Sequence, residues 1–188
     1  MKTALTLSHD LLAEIISPGD FVIDATMGNG HDTLFLAQLV GPLGKVLAYD
    51  VQQLAFDQTQ HRLLTAGAAE QVQLFLRGHE TLKEDLPIEQ ELAGAIFNLG
   101  YLPKGDKSII TKSDTTISAL TALLPVLKKG GRILLVLYYG HPGGTIEKDA
   151  LIEFCQQLPQ KDFQVALYQF LNQKNSPPML LAIERNKK

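Results

Sequence analysis

The stretch "FVIDATMGNGHDTLFLAQL", residues Phe21–Leu39, changes its hydrophobic period part-way along. Its first five residues form a short apolar run of strand type, whereas "HDTLFLAQLV" sets Leu34, Leu36, Ala37 and Val40 at the spacing of a packed helix that stops near Gly41 and Pro42. Between them lie Asp24 and two spaced glycines. Gly28 and Gly30 let the backbone turn tightly and approach a ligand without a Cβ in the way, while the first N–H groups of the helix face the same space. The turn is a poor phosphate cradle: no GK[ST] follows, and Asp24 and Asp32 add negative charge. It is also a poor dinucleotide fingerprint, because "GNG" lacks a third glycine at the required spacing.

Outward from this unit, strand and helix patterns alternate. "KVLAYD" is a strand ending at Asp50, and "VQQLAFDQTQHRLLTAG" is a helix with Gly67 as its C-terminal cap. "VQLFL" and "LAGAIFN" are the third and fourth strands, the latter ending at Asn98. A helix between Lys112 and Leu127 contains Pro125, which implies a kink or an early end. Ile133–Tyr138 is a near-continuous aliphatic strand, as expected in a parallel sheet covered on both faces. A helix from Thr145, which could cap it, to Leu158 follows. Upstream, Thr6–Ile16 is a helix ended by Pro18 and Gly19. The last two segments, "FQVALYQFLN" and "MLLAIERN", are joined by too short a connection for a crossover helix, so they pair antiparallel. This order predicts an α/β fold, a mostly parallel sheet with helices on both faces, in one domain over residues 1–188.

Composition supports an ordinary globular chain: 45% hydrophobic, 20% charged, with 17 Lys and Arg against 20 Asp and Glu for a net charge of −3. No overall positive field draws it to nucleic acid, so any such contact is local. The single cysteine, Cys155, forms no internal disulfide and suits a reducing cytoplasm. No apolar window reaches membrane-spanning length, and a soluble protein is expected. His9, His31, His61, His79 and His141 show no compact metal-ligating pattern.

In an open parallel sheet, ligands bind beyond the C-terminal ends of the strands. Here those ends carry Asp24 with "TMGNGHD", Asp50, Gly78–His79, Asn98 with "LGYLP", and "YYGHPGG". Turn chemistry explains any one such loop, but five in register point to a crevice. Asp50 is placed to accept ribose hydroxyls, and the acidic first loop suits a nucleoside with a cationic or neutral tail better than a diphosphate. S-adenosylmethionine has that chemistry. Asp24 has two further readings, as a turn or cap residue that orients the loop, or as a partner of the cofactor's ammonium through water.

"VIDATMGNGHDTLFLA", "YD" at Tyr49–Asp50, "RGHE" at Arg77–Glu80, "FNLGYLPKGDK" at Phe97–Lys107 and "YYGHPGG" at Tyr138–Gly144 resemble the small bacterial family of "putative rRNA methylases" over nearly the whole chain. The family consists of class I S-adenosylmethionine-dependent methyltransferases, understood as transfer-RNA enzymes that convert wobble 5-aminomethyl-2-thiouridine to its methylaminomethyl form. The resemblance implies a Rossmann-like seven-stranded sheet of order 3-2-1-4-5-7-6 with the last strand antiparallel, and a homodimer. It also implies a cofactor loop at Asp24–His31, a ribose acid at Asp50, and His79 beside the adenine. The candidate cofactor set is thus Asp24, Thr26, Met27, Gly28, Asn29, Gly30, His31, Asp32, Asp50, Gln52, His79, Asn98 and Gly100.

"NLGYLP" is similar to the Asn/Asp-plus-aromatic loop of amine-modifying methyltransferases, with Asn98 at its head. Direct attack by an amine needs orientation and loss of a proton. Asn98 suits the first. His141 is preferred for the second over His31, His79, Asp32 and the tyrosines, although it also fits as a loop residue fixing the turn before Pro142. Tyr101, Tyr138 and Tyr139 could stack on a splayed base, with one of the adjacent pair turned into the core. Lys104, Lys107 and Lys112 are the candidate phosphate contacts to a tRNA anticodon stem-loop, and Gly143 borders the same crevice. Other readings on this fold are methylation of ribosomal RNA or of a small molecule, and S-adenosylmethionine binding without catalysis.

Overall fold

The computed structural model describes every residue except 89, 103, 104, 107, 108 and 188. In chain order the elements are α1 (Ala4–Ala13), β1 (Phe21–Asp24), α2 (His31–Val40), β2 (Lys45–Asp50), α3 (Gln53–Ala66), β3 (Val72–Leu76), β4 (Leu92–Leu99), α4 (Ser113–Leu123), β5 (Leu127–Leu137), α5 (Gly144–Gln156), β6 (Phe163–Tyr168) and β7 (Met179–Arg185). Seven strands form one sheet in the order β3-β2-β1-β4-β5-β7-β6. Strands β1 to β5 pair in parallel, and β7 runs antiparallel to both β5 and β6. The fold is thus the expected Rossmann-like class I arrangement, including the antiparallel closing strand.

Period-two alternation divides the core between the two faces. Ile23, Tyr49, Phe97, Ile133 and Leu135 pack in one cluster with residues of α4 and α5, whereas Val22, Val46, Ile96, Leu134 and Val136 pack in the other with α1 and α2. Burial on both sides explains why the central strands contain so few polar residues. Each fully buried aliphatic side chain contributes about 1.5–3 kcal/mol.

Several boundaries differ from expectation for local reasons. Helix α1 begins earlier, where the Thr3 hydroxyl accepts the Thr6 N–H at 3.1 Å, and ends at Ala13 instead of Ile16. Pro125 ends α4: a 3-10 turn, Leu124–Val126, leads directly into β5. That strand starts at Leu127, well before Ile133. Its pairing with β4 jumps from Leu92↔Leu127 to Gly94↔Arg132, an irregularity absorbed around Gly130 in the left-handed region at φ 75°. The cap of α5 is Gly143, φ 87°, not Thr145. A 3-10 segment at His79–Asp85 is one the sequence pattern did not reveal.

Candidate active site

The loop after β1 is tied to the strands on both sides. Met27 N–H donates to Tyr49 O at the end of β2 (2.8 Å), and the Thr26 hydroxyl accepts the Asn98 N–H at the end of β4 (2.7 Å). Gly28 N–H donates to Asp50 Oδ2 at 3.1 Å, and Gln52 N–H to Asp50 Oδ1 at 2.9 Å. The glycine turn and the acid ending β2 therefore share one recess. Gly28 (φ 50°) and Gly30 (φ 75°) are both left-handed, but Gly30 makes room for protein: a Cβ there would lie 2.8 Å from Thr59 Cα of α3.

Behind this loop, Asp24 is fully buried and lines neither neighbouring chamber. Its oxygens accept Thr26 N–H (3.1 Å) and the Thr33 hydroxyl (2.6 Å), so it orients the loop. Burial, reinforced by the charge of Asp32, pushes its carboxyl up to about 7. Desolvation also raises Asp50 above the ordinary carboxylate value, against the lowering effect of its backbone donors.

Two chambers meet at the strand ends. The first, about 290 Å³, is lined by Gly28, Asp50, Gln52, His79 and Lys112 among others. The second, about 520 Å³, includes Met27, Asn29, His31, Asp32, Tyr138 and His141. Thr26, Gly28, Asn98, Gly100, Tyr101 and Leu102 belong to both walls. In the first chamber, His79 Nδ1 donates to Ala25 O (3.0 Å), and burial lowers its pKa from the ordinary histidine value. In the second, two lining residues carry buried polar atoms with no hydrogen-bond partner among the described residues: Asn98 Oδ1 and His141 Nε2. His141 Nδ1 lies 3.0 Å from Pro142 O, a carbonyl that can only accept, so Nδ1 carries a proton and the ring's orientation is fixed by that contact. Asn98 Nδ2 donates to Asp32 Oδ2, which fixes the amide with its oxygen away from that carboxylate.

The tyrosine pair divides as alternation requires. Tyr138 lines the second chamber, and its pKa is raised by burial and then by Asp32. Tyr139 packs against the core beneath the Lys148 ammonium, 5.3 Å from the ring centroid, and lines neither chamber. Of the adjacent pair, Tyr139 is thus the one turned toward the core. Tyr101 stands edge-on to His141, with ring centroids 5.8 Å apart. Gly143 likewise lies off both walls, at the α5 cap. Lys112 is exposed, and Lys104 and Lys107 lie outside the described residues.

Sequence reasoning passed over His9, whose Nε2 lies 2.6 Å from Asp32 Oδ1. It also missed Arg62, which donates to Asn29 O and His31 Nε2, and the role of Glu147, a buried carboxylate that accepts the Thr111 hydroxyl at 2.9 Å. Each depends on a partner more than twenty residues away, so no local pattern marks it. Among the described residues, no group of three or more His, Cys, Asp or Glu is arranged to hold a metal ion. No helix among them is long and apolar enough to cross a membrane.

A glycine turn bonded to a strand-end acid, with a second chamber opening beside it, is a cofactor-and-acceptor geometry. Residues 46–184 match the family model described as "Putative rRNA methylase". The chain belongs to that family. This rRNA methylase family member is 42% identical, over 98% of its length, to the Arabidopsis thaliana protein named "tRNA (mnm(5)s(2)U34)-methyltransferase, chloroplastic", 70% of which the match spans. It superposes on the "putative rRNA-methylase" of Clostridium thermocellum with TM-score 0.95, 41% identity and 98% of each chain covered. It also superposes on SMU.1697c, described as "a putative methyltransferase" of Streptococcus mutans and solved in complex with SAH, at TM-score 0.89 and 42% identity over 98% and 99% of the two chains. The family member is an S-adenosylmethionine-dependent methyltransferase, and the donor set fits that cofactor. Asp50 has lone pairs left for hydroxyls at the first chamber's wall, and the loop brings backbone and small side chains close to it.

Proposed function

We propose that residues 1–188 act as one domain that N-methylates 5-aminomethyl-2-thiouridine at the wobble position of tRNA, giving the 5-methylaminomethyl form. The observation that carries this reading is a pair of buried atoms on residues lining the second chamber, Asn98 Oδ1 and His141 Nε2, which have no hydrogen-bond partner among the described residues. An oxygen acceptor and a nitrogen lone pair are what a primary ammonium needs, one to hold an N–H and one to take a proton.

In this reading Asp50, Gln52, His79 and the Thr26–Asn29 loop hold the nucleoside and tail of the cofactor. When bound, S-adenosylmethionine supplies a methyl group activated on a sulfonium sulfur. Asn98 Oδ1 accepts one N–H of the substrate amine and thereby directs its lone pair. His141 Nε2 receives the departing proton, with Nδ1 anchored on Pro142 O so that the ring keeps its orientation. Tyr101 and Tyr138 form the wall on which a splayed base stacks. An anticodon-loop base is already partly unstacked, which lowers the cost of extrusion. Lys112 contributes a phosphate contact, and a cytoplasmic homodimer supplies a second RNA-facing surface to a chain with net charge −3.

The test is mass spectrometry of nucleosides from tRNA incubated with the protein and S-adenosylmethionine. One methyl gained on 5-aminomethyl-2-thiouridine supports the reading. Methyl incorporation into ribosomal RNA or a small amine alone, or cofactor binding without any turnover, overturns it.

A further inference from the structure

The Asn98 amide is held by a chain of contacts that begins on a helix outside the β1–α2 unit. Nδ2 donates to Asp32 Oδ2, and Asp32 Oδ1 lies 2.6 Å from His9 Nε2 on α1. Because a carboxylate oxygen accepts, His9 Nε2 carries a proton. The His9 ring also stacks on Phe35 of α2, centroids 4.2 Å apart and planes 14° from parallel, which leaves its rotation little freedom. Helix α1 is itself clamped to the sheet: Arg132 of β5 donates to Leu11 O and to Glu14, each at 2.7 Å, and pairs with Glu184 of β7.

We infer that His9 is a positioning residue of methyl transfer. By donating to Asp32 it fixes the carboxylate that turns the Asn98 amide, and so sets which way Oδ1 faces at the chamber wall. Asp32 is only 8% exposed, so without His9 one of its oxygens would lack a partner and the carboxylate would be free to turn toward water. The Asn98 amide would then lose the contact that distinguishes its two ends. The inference rests on the reading of Asn98 as the residue that orients the amine.

Two substitutions separate positioning from packing. His9→Phe keeps an aromatic ring on Phe35 and removes the donor; His9→Gln loses the ring and keeps an N–H at a similar reach. Turnover of tRNA is measured at saturating cofactor, together with the side-chain amide signal of Asn98 in ¹H–¹⁵N spectra of the cofactor-free protein. His9→Phe is expected to lower kcat roughly ten- to hundredfold with KM nearly unchanged, while His9→Gln recovers most of the rate. The Asn98 amide signal is expected to move in His9→Phe and to stay near its wild-type position in His9→Gln. The reverse ranking, or a His9→Phe protein with wild-type kcat and an unmoved amide signal, overturns the assignment while leaving the methyltransferase reading intact. Wild-type protein that leaves tRNA unmethylated sinks the functional reading instead, and the amide signal then decides the His9–Asp32–Asn98 connection alone.

Discussion

At Asp50, two backbone N–H groups already bind the carboxylate, which pins its orientation without exhausting its lone pairs. Hydrogen bonds to a charged acceptor are worth about 1.5–3 kcal/mol, so Asp50→Ala is expected to weaken S-adenosylmethionine binding roughly ten- to hundredfold. Calorimetric titration of a variant with wild-type far-ultraviolet dichroism checks this, and unchanged affinity would remove Asp50 from the cofactor site. Asn98→Ala should do the opposite, lowering kcat about a hundredfold while cofactor affinity stays within a few-fold. Single-turnover assays beside cofactor titration separate the two effects. Asp24 makes a prediction about pH. Its folded-state pKa is raised from 3.8 to about 7, so across that window the unfolded chain has released a proton that the folded chain retains. Stability of the cofactor-free protein therefore falls as pH rises from about 4 to 7 and levels off above. In Asp24→Asn the slope of Tm against pH over this interval should flatten; an equally steep decline would assign the effect to another group.

At the scale of elements, the glycines divide into two kinds that the sequence does not distinguish. Gly67 ends α3 in the left-handed helical conformation with open space where a Cβ would go. Gly30 is left-handed and also lies against the backbone of α3, 2.8 Å from the Thr59 Cα. Alanine at Gly67 is expected to cost about 1 kcal/mol, the penalty for the left-handed backbone alone. Gly30→Ala should cost at least about 2 kcal/mol, because α3 must also move. Denaturant melts of the two variants give the ranking directly, and equal losses would mean that the α2–α3 approach is not tight in solution. The corrected starts of β5 and α5 have the same origin. The β5 irregularity centres on Gly130, and the α5 entry passes so near Tyr139 that a Cβ on Gly144 would lie 2.7 Å from that residue's Cα. Such close approaches are set by neighbours and leave no periodic trace in the chain.

Across the whole molecule, a net charge of −3 and a pI near 5.9 mean that the proposed RNA contact would have to come from a local patch working against the overall field. Affinity for an anticodon stem-loop is expected to fall linearly on a log–log plot with salt, with a slope of about −0.7 per phosphate neutralised on single-stranded RNA. Lys112→Ala should reduce the slope by roughly one such increment and weaken binding to cognate and non-cognate loops alike. An unchanged slope would exclude Lys112 from the RNA-facing surface.

The alternation of strand and helix periods, the polar residue ending each parallel strand, and the antiparallel final pair follow from local rules of period, turn chemistry and connection length. Those rules act within a few residues, so α2, β2 and β3 coincide with their sequence patterns to the residue. They also indicated that one of Tyr138 and Tyr139 must face the core, though not which. Only the folded chain decided that. It also decided that Asp24 sits behind its loop, that Gly30 accommodates Thr59, and that His9, Asp32 and Asn98 meet although 23 and 66 residues separate the bonded pairs. The orientation of a buried amide depends on which acceptor burial brings beside it, and that juxtaposition exists only once the sheet and its helices have packed.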